Sequence, residues 1–126
     1  MMSEPQEVII YKERPKSWNT FWAGTHWRKR KTERDRVYYA VRAAINPAYI
    51  KMYKTVIDID IIVYFDTTGK KKQLDSANIV SKPYIDALIG WYIEDDSRKF
   101  VRRVSTQSEV DDDNPRIVIK LIPVEE

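Results

Sequence analysis

Residues 55–65 carry the strongest structural signal in the chain, because a large apolar side chain stands at every second position. The row consists of Ile57, Ile59, Ile61, Val63 and Phe65. Successive side chains of a β-strand point to opposite faces, so this spacing predicts a strand with one fully apolar face. The other face begins with Asp58 and Asp60 and becomes apolar at Ile62 and Tyr64. We therefore expect the second face to be covered at one end only, with the two acids on its solvated part.

Shorter patterns predict the remaining elements. Residues 8–11 and two later stretches, 100–108 and 116–122, have the composition of strands, and the turn DDDNP at 111–115 joins the last two. A helix is expected from Thr32, which can act as the N-cap with Asp35 in a capping box, and Asn46-Pro47 is expected to end it. With a second helix after the long strand, the order becomes β-α-β-α-β-β. This order predicts an α+β, or mixed α/β, fold in which helices pack on a mixed sheet.

Length and composition narrow the class of protein. A chain of 126 residues, of which 43% are hydrophobic and 33% charged, is expected to fold as one domain spanning residues 1–126. The sequence contains no cysteine, so disulfides, thiolate nucleophiles and cysteine-built zinc sites are excluded. No apolar run approaches the roughly 18 residues of a membrane helix, and the N-terminal residues do not resemble a signal peptide. We expect a cytoplasmic protein without a membrane partner.

The net charge of +3 conceals an uneven distribution of charge. Residues 1–72 contain 15 Lys or Arg against 8 Asp or Glu, whereas residues 73–126 contain 7 against 11. The first part is suited to binding a polyanion, and the second part collects carboxylates. A requirement for solubility alone would also account for many of these charges.

The acidic part begins with the stretch QLDSANIVSKPYIDALIGWYIEDDS, residues 73–97. Read as a helix, it places Asn78, Lys82 and Asp86 on one polar stripe opposite an apolar side, and Asp75 extends the stripe. Pro83 interrupts such a helix, because proline lacks a backbone donor. Two short helical turns meeting near residues 81–82 are therefore an alternative to one continuous helix.

Two interpretations of these charges remain open at this point. In the first, Asp75 is a helix cap, Lys82 and Asp86 form a surface ion pair, and Asp95-Asp96 makes a turn. In the second, the acids converge, and a divalent cation offsets their mutual repulsion. Oxygen ligands of this kind favour Mg²⁺ or Mn²⁺, which stabilises the charge that develops when a phosphodiester is hydrolysed.

The order of these residues resembles the RusA-type Holliday-junction resolvases, which are small dimeric endodeoxyribonucleases. The family pattern is D-x-D-N, then a lysine, then D-A-L, then an acidic pair after a short apolar segment. The matching residues here are Asp75, Asn78, Lys82, Asp86-Ala87-Leu88 and Asp95-Asp96. Two departures occur: Ala77 stands where the pattern has its second Asp, and the spacing from Asn78 to Lys82 is one residue longer.

The resemblance implies a Mg²⁺- or Mn²⁺-dependent endonuclease that resolves four-way or branched DNA as a homodimer. It implies catalytic roles for Asp75, Lys82 and Asp96, with Asp75 and Asp96 as metal ligands. Asn78, Asp86 and Asp95 are further candidate ligands, since any of them could supply the oxygen that is lost with the family acid at Ala77. A weakened or inactive junction-binding or single-strand-binding protein is the alternative.

A set of basic residues is predicted to contact the DNA backbone. They are Arg28, Lys29, Arg30, Lys31 and Arg34 near the first helix, and Lys70, Lys71 and Lys72 just before Asp75. Such contacts are independent of sequence and sensitive to salt, which suits recognition of a junction by its shape. Trp22, His26 and Trp27 lie among these residues. Their rings are expected to stack on unpaired bases, or, for the tryptophans, to pack in a core or a dimer interface.

Overall fold

The structure is a computed structural model that describes residues 4–12, 15, 27–68 and 73–124. The strands are β1 (Gln6–Tyr11), β2 (Ile57–Phe65), β3 (Val101–Val110) and β4 (Arg116–Pro123), and the α-helices are α1 (Trp27–Ala44) and α2 (Lys82–Asp86). Short 3₁₀ helices lie at Pro47–Tyr49 and Ser76–Asn78. The predicted order β-α-β-α-β-β is confirmed for the described residues. The predicted loop at 14–25, apart from Pro15, and Lys70, Lys71 and Lys72 lie outside them.

The four strands form one mixed sheet in the order β1-β4-β2-β3. β4 pairs antiparallel with both β1 and β2, and β2 pairs in parallel with β3. β2 lies inside the sheet, and Ile57, Ile59, Ile61, Val63 and Phe65 are buried, as their alternation predicts. After β3 the chain crosses over β2, because β4 pairs with the edge of β2 opposite to the one that pairs with β3.

α1 starts earlier than its sequence suggests. Thr32 was expected to cap the helix, but it lies inside α1, where its hydroxyl donates to the carbonyl of Arg28 at 2.9 Å. Arginine and lysine are good helix formers and no glycine or proline separates residues 27 and 32, so the helix extends toward the N-terminus. Val37, Val41 and Ile45 recur at four-residue spacing and are buried in the core. The expected stop is confirmed: the side chain of Asn46 accepts from Ala48 N, and the 3₁₀ helix begins there.

The single helix expected after residue 73 does not form. Ser76–Asn78 is a 3₁₀ turn, Ile79 is extended, and only Lys82–Asp86 is α-helical. Pro83 explains the late start, because proline is favoured in the first turn of a helix, where its missing N–H is not required. The alternative of two short helical turns is therefore correct in outline, and Asn78 does not share a helical stripe with Lys82.

The expectation that Asp58 lies on a solvated strand face is wrong. Asp58 is only 5% exposed, and its carboxylate accepts from Arg102 Nε at 3.0 Å and Arg102 Nη2 at 2.6 Å. Arg102 is the one residue of β3 without a partner in β2, because the register shifts between Ile57 and Asp58. The ion pair thus fixes the start of β3 against β2. Asp60 is half-buried and accepts from the hydroxyl of Ser105 at 2.5 Å.

Candidate functional site

Lys82 lies between two of the predicted site acids. Its ammonium is 3.0 Å from Asp86 Oδ1, one turn later in α2, and 2.5 Å from Asp96 Oδ2 in the loop before β3. The first contact follows from helical spacing, whereas the second requires the chain to fold back after α2. Lys82, Asp86 and Asp96 are therefore brought together, and all three remain accessible, with side chains 57%, 38% and 40% exposed.

Both acids affect the charge state of this lysine. The hydrogen bond to Asp96 and, to a smaller extent, the hydrogen bond to Asp86 raise the pKa of Lys82 above its ordinary value. An amine with a raised pKa stays protonated at neutral pH, so Lys82 is a fixed positive charge and not a general base. An ammonium has three donors, and the two carboxylates use two of them. One donor is left for a bound anion.

Asp95, the neighbour of Asp96, is engaged in the local turn. Its Oδ1 accepts from the backbone N–H of Ser97 at 2.7 Å. Hydrogen bonding from the side chain and the backbone of Ser97 lowers the pKa of Asp95. The interpretation of Asp95-Asp96 as a turn is therefore correct for Asp95, and this turn presents Asp96 to Lys82.

Asp75 lines a groove to which Lys82, Asp86 and Asp96 do not contribute. It precedes the 3₁₀ helix Ser76–Asn78 at the cap position, but its side chain makes no capping hydrogen bond. Asp75 is exposed on an open groove of about 420 Å³ whose opposite wall is formed by residues 106–109 of β3. Asn78, half-buried, ends the same 3₁₀ turn, and its N–H donates to the Asp75 carbonyl at 2.9 Å.

The donor types at these positions fit a hard divalent cation. Carboxylate and amide oxygens are the ligands of Mg²⁺ and Mn²⁺. Among the described residues nothing pairs with the Asp75 carboxylate, and Lys82 binds only one oxygen each of Asp86 and Asp96. No group of three or more His, Cys, Asp or Glu side chains suited to a metal occurs within residues 4–12, 15, 27–68 and 73–124. The metal site therefore stays a prediction that rests on the donor types.

One basic residue of α1 lies near the cluster of Lys82, Asp86 and Asp96, called here the lysine–acid cluster. Arg28, Lys29, Lys31 and Arg34 are exposed and Arg30 is half-buried. Lys31 pairs with Asp35 at 3.1 Å, one turn later in the helix. Arg34 and Asp35 line a small depression of about 150 Å³ together with Asp86 of α2. An arginine of the predicted DNA-binding set thus lies beside a member of the lysine–acid cluster, a proximity that sequence order does not reveal.

Sequence reasoning missed the polar wall that β3 contributes to the Asp75 groove. The wall includes Gln107 and Glu109, which are exposed near the end of this edge strand. The available signal was the polar run STQSE at 105–109 within a segment otherwise predicted as a strand. Such a run is typical of a solvated strand surface, and only the pairing of β3 shows what it faces.

Comparison with models of known protein families finds no match, and comparison with curated proteins finds no relative. In the part of the chain that the structure describes, no helix has the length and apolar character needed to cross a membrane.

Proposed function

We propose that this protein is a metal-dependent endodeoxyribonuclease that binds four-way or branched DNA and hydrolyses its phosphodiester bonds. One observation supports the proposal above the others. Asp86, which together with Asp96 holds the protonated Lys82, borders the same depression as Arg34 of α1. A phosphate drawn to the basic helix is thereby brought next to a fixed ammonium and to carboxylates.

In the proposed mechanism, the basic residues of α1 bind the DNA backbone and orient one phosphodiester. The third N–H of Lys82 donates to a non-bridging phosphate oxygen and stabilises the charge that grows there during hydrolysis. Asp75 and Asp96 would hold Mg²⁺ or Mn²⁺, which when bound supplies a Lewis acid for the same oxygens and lowers the pKa of water. Asp86 keeps Lys82 in position through their ion pair.

The proposal extends to the assembly and the setting. Resolving a four-way junction requires cuts in two opposite strands. A homodimer with two-fold symmetry has two equivalent sites, one for each cut. We further propose that the protein is cytoplasmic, where it has access to branched DNA. Light scattering at micromolar concentration tests the dimer directly, and a monomer would count against it.

A second candidate function is binding of branched or single-stranded DNA without cutting. The contacts of Lys82 favour it, because one ammonium pairs with both Asp86 and Asp96 and so reduces the repulsion that a divalent cation would otherwise offset. Ala77, which replaces the second acid of the family pattern, favours it as well. Binding that persists in EDTA, with no nicks in Mg²⁺ or Mn²⁺, would support this candidate over the nuclease.

The decisive experiment compares cutting of a synthetic four-way junction and a linear duplex by the wild type, Asp75→Asn and Asp96→Asn, with and without Mg²⁺. We expect both variants to lose junction cutting while circular dichroism stays unchanged. Asp113→Asn is the matched control, because this exposed carboxylate lies in the turn before β4 and lines neither the Asp75 groove nor the depression at Arg34. Undiminished cutting by both site variants would reject the nuclease assignment.

Restoring the family acid provides an independent test. Ala77→Asp adds a carboxylate between Asp75 and Asn78, so we expect higher affinity for Mg²⁺ by calorimetric titration, or faster cutting. If neither changes, the proposed metal position beside Asp75 is wrong.

A further inference from the structure

A second cationic segment follows the lysine–acid cluster in the chain. All of its basic residues are exposed, on the turn after Asp96 and at the start of β3. They are Arg98, Lys99, Arg102 and Arg103, and residues 98–103 contain no acid. None of the four belongs to the set predicted from sequence to contact DNA. These residues form a surface, called here the β3 cationic patch, whose charge the proposed mechanism does not use.

The acids near this patch offset only part of its charge. Asp58 accepts both hydrogen bonds of its bidentate pair from Arg102, while Arg103 lies 3.9 Å from the same carboxylate and is 64% exposed. Asp96, the acid closest to Arg98 in the chain, is paired within the lysine–acid cluster. The patch therefore keeps an excess of positive charge, and a surface with one sign of charge attracts a polyanion.

The patch and the basic residues of α1 lie toward different edges of the sheet. β1 and β3 are the two edge strands, and α1 packs against β1 and α2. Arg34 of α1 approaches the lysine–acid cluster through the depression that it shares with Asp86. The patch begins two residues after Asp96, the other acid of the cluster. Two cationic surfaces therefore adjoin one cluster, each through a different acid.

We infer that the β3 cationic patch binds the phosphate backbone of a second duplex arm while α1 binds the first. The inference rests on the proposed function, because it takes branched DNA as the ligand and places the branch point at the lysine–acid cluster. The persistence length of duplex DNA is about 50 nm, so a linear duplex is nearly straight on the scale of one domain and engages one surface at a time. Two arms that leave a branch point in different directions engage both surfaces together. Arg102 is held by Asp58, so Arg98, Lys99 and Arg103 supply the phosphate contacts.

Binding of DNA without cutting tests the inference. A fluorescein-labelled four-way junction and a linear duplex built from the same arm sequences are titrated in EDTA across a salt series, and affinity is followed by anisotropy. Each phosphate contact adds about 0.9 to the slope of log affinity against log salt. Arg98→Ala and Arg103→Ala should each lower this slope by about one for the junction. For the duplex, which can bind α1 instead, each loss should be less than about half as large.

Further variants separate charge from structure. Arg103→Lys keeps the cation, so it should keep the junction slope. Lys51→Ala removes one exposed cation beside Gln6 of β1, at the other edge of the sheet, and should leave both slopes unchanged. In the double variant Arg98→Ala/Arg103→Ala, the junction slope should approach the duplex slope. Circular dichroism of each variant should match that of wild type.

The outcomes distinguish this inference from the proposed nuclease. Unchanged junction slopes in both alanine variants would overturn it, as would equal losses for junction and duplex, which would make the patch part of one duplex-binding surface. A loss in Arg103→Lys as large as in Arg103→Ala would also overturn it. Mg²⁺-dependent junction cutting with unchanged slopes would retain the nuclease and remove the second-arm surface. Lowered junction slopes without any cutting would retain this surface and reject the nuclease, and a wild type that binds neither DNA would overturn both.

Discussion

Replacing Asp58 by asparagine tests how β3 is held against β2. The buried carboxylate forms a bidentate pair with Arg102, and hydrogen bonds to charged groups contribute about 1.5–3 kcal/mol. Arg102 is 57% exposed, so water screens part of this interaction and also hydrates the arginine once its partner is neutral. Asparagine keeps one acceptor oxygen. We therefore expect Asp58→Asn to lower the free energy of unfolding by about 2 kcal/mol near neutral pH, or the melting temperature by about 7 °C.

The pH dependence of this loss identifies its cause. Hydrogen bonding from Arg102 lowers the pKa of Asp58 below its ordinary value of 3.8. A carboxyl with a depressed folded pKa contributes stability that is complete above its unfolded pKa and is lost as pH falls through the folded value. In urea denaturation, the difference between wild type and Asp58→Asn should therefore shrink below about pH 4. An equal difference at neutral and strongly acidic pH would contradict this account.

The two neighbouring arginines supply a matched control. Arg102→Ala leaves the Asp58 carboxylate in place without its main partner, so it should cost more than Asp58→Asn, about 3 kcal/mol. Arg103 is 64% exposed and 3.9 Å from the same carboxylate, so Arg103→Ala should cost less than about 0.5 kcal/mol. Similar losses in the two arginine variants would show that the bidentate geometry is not what stabilises β3.

Three further predictions concern cationic residues, two of the site and one that packs α1 against the segment after α2. Lys82→Met should reduce the rate of junction cutting about a hundredfold. It should change the free energy of unfolding by less than about 1 kcal/mol, because the ion pairs of Lys82 are exposed. An unchanged cutting rate would exclude Lys82 from the reaction. Arg34→Ala should reduce the slope of log affinity against log salt for junction DNA by about one, and Lys54→Ala should not. Arg42→Met removes a donor 2.9 Å from the Ile89 carbonyl and a cation over the Trp91 ring, 4.5 Å from its centroid. We expect a loss of about 2 kcal/mol in urea unfolding followed by tryptophan fluorescence, and no loss would show that these contacts do not stabilise the α1 packing.

The chain order of the elements could be predicted because their signals are local. The alternation from Ile57 to Phe65 specifies a strand, and the spacing of Val37, Val41 and Ile45 specifies a helix face, wherever the elements pack. Boundaries were less predictable, since helix starts depend on small differences in propensity. Thr32 has the chemistry of a cap, but the basic residues before it extend α1 by more than a turn. Pro83 sets where α2 starts, because a proline is tolerated only in the first turn of a helix.

Of the candidate site, the sequence by itself determined the residue types and the Lys82–Asp86 pair, because one helical turn brings residues four apart together. Tertiary structure decided the rest. The contact of Asp96 with Lys82, the place of Arg34 beside Asp86, and the groove between Asp75 and β3 all join segments that are distant in the chain. The physical reason is that such contacts depend on how a strand and a loop are positioned by burial of the whole apolar core, and no local spacing encodes that positioning.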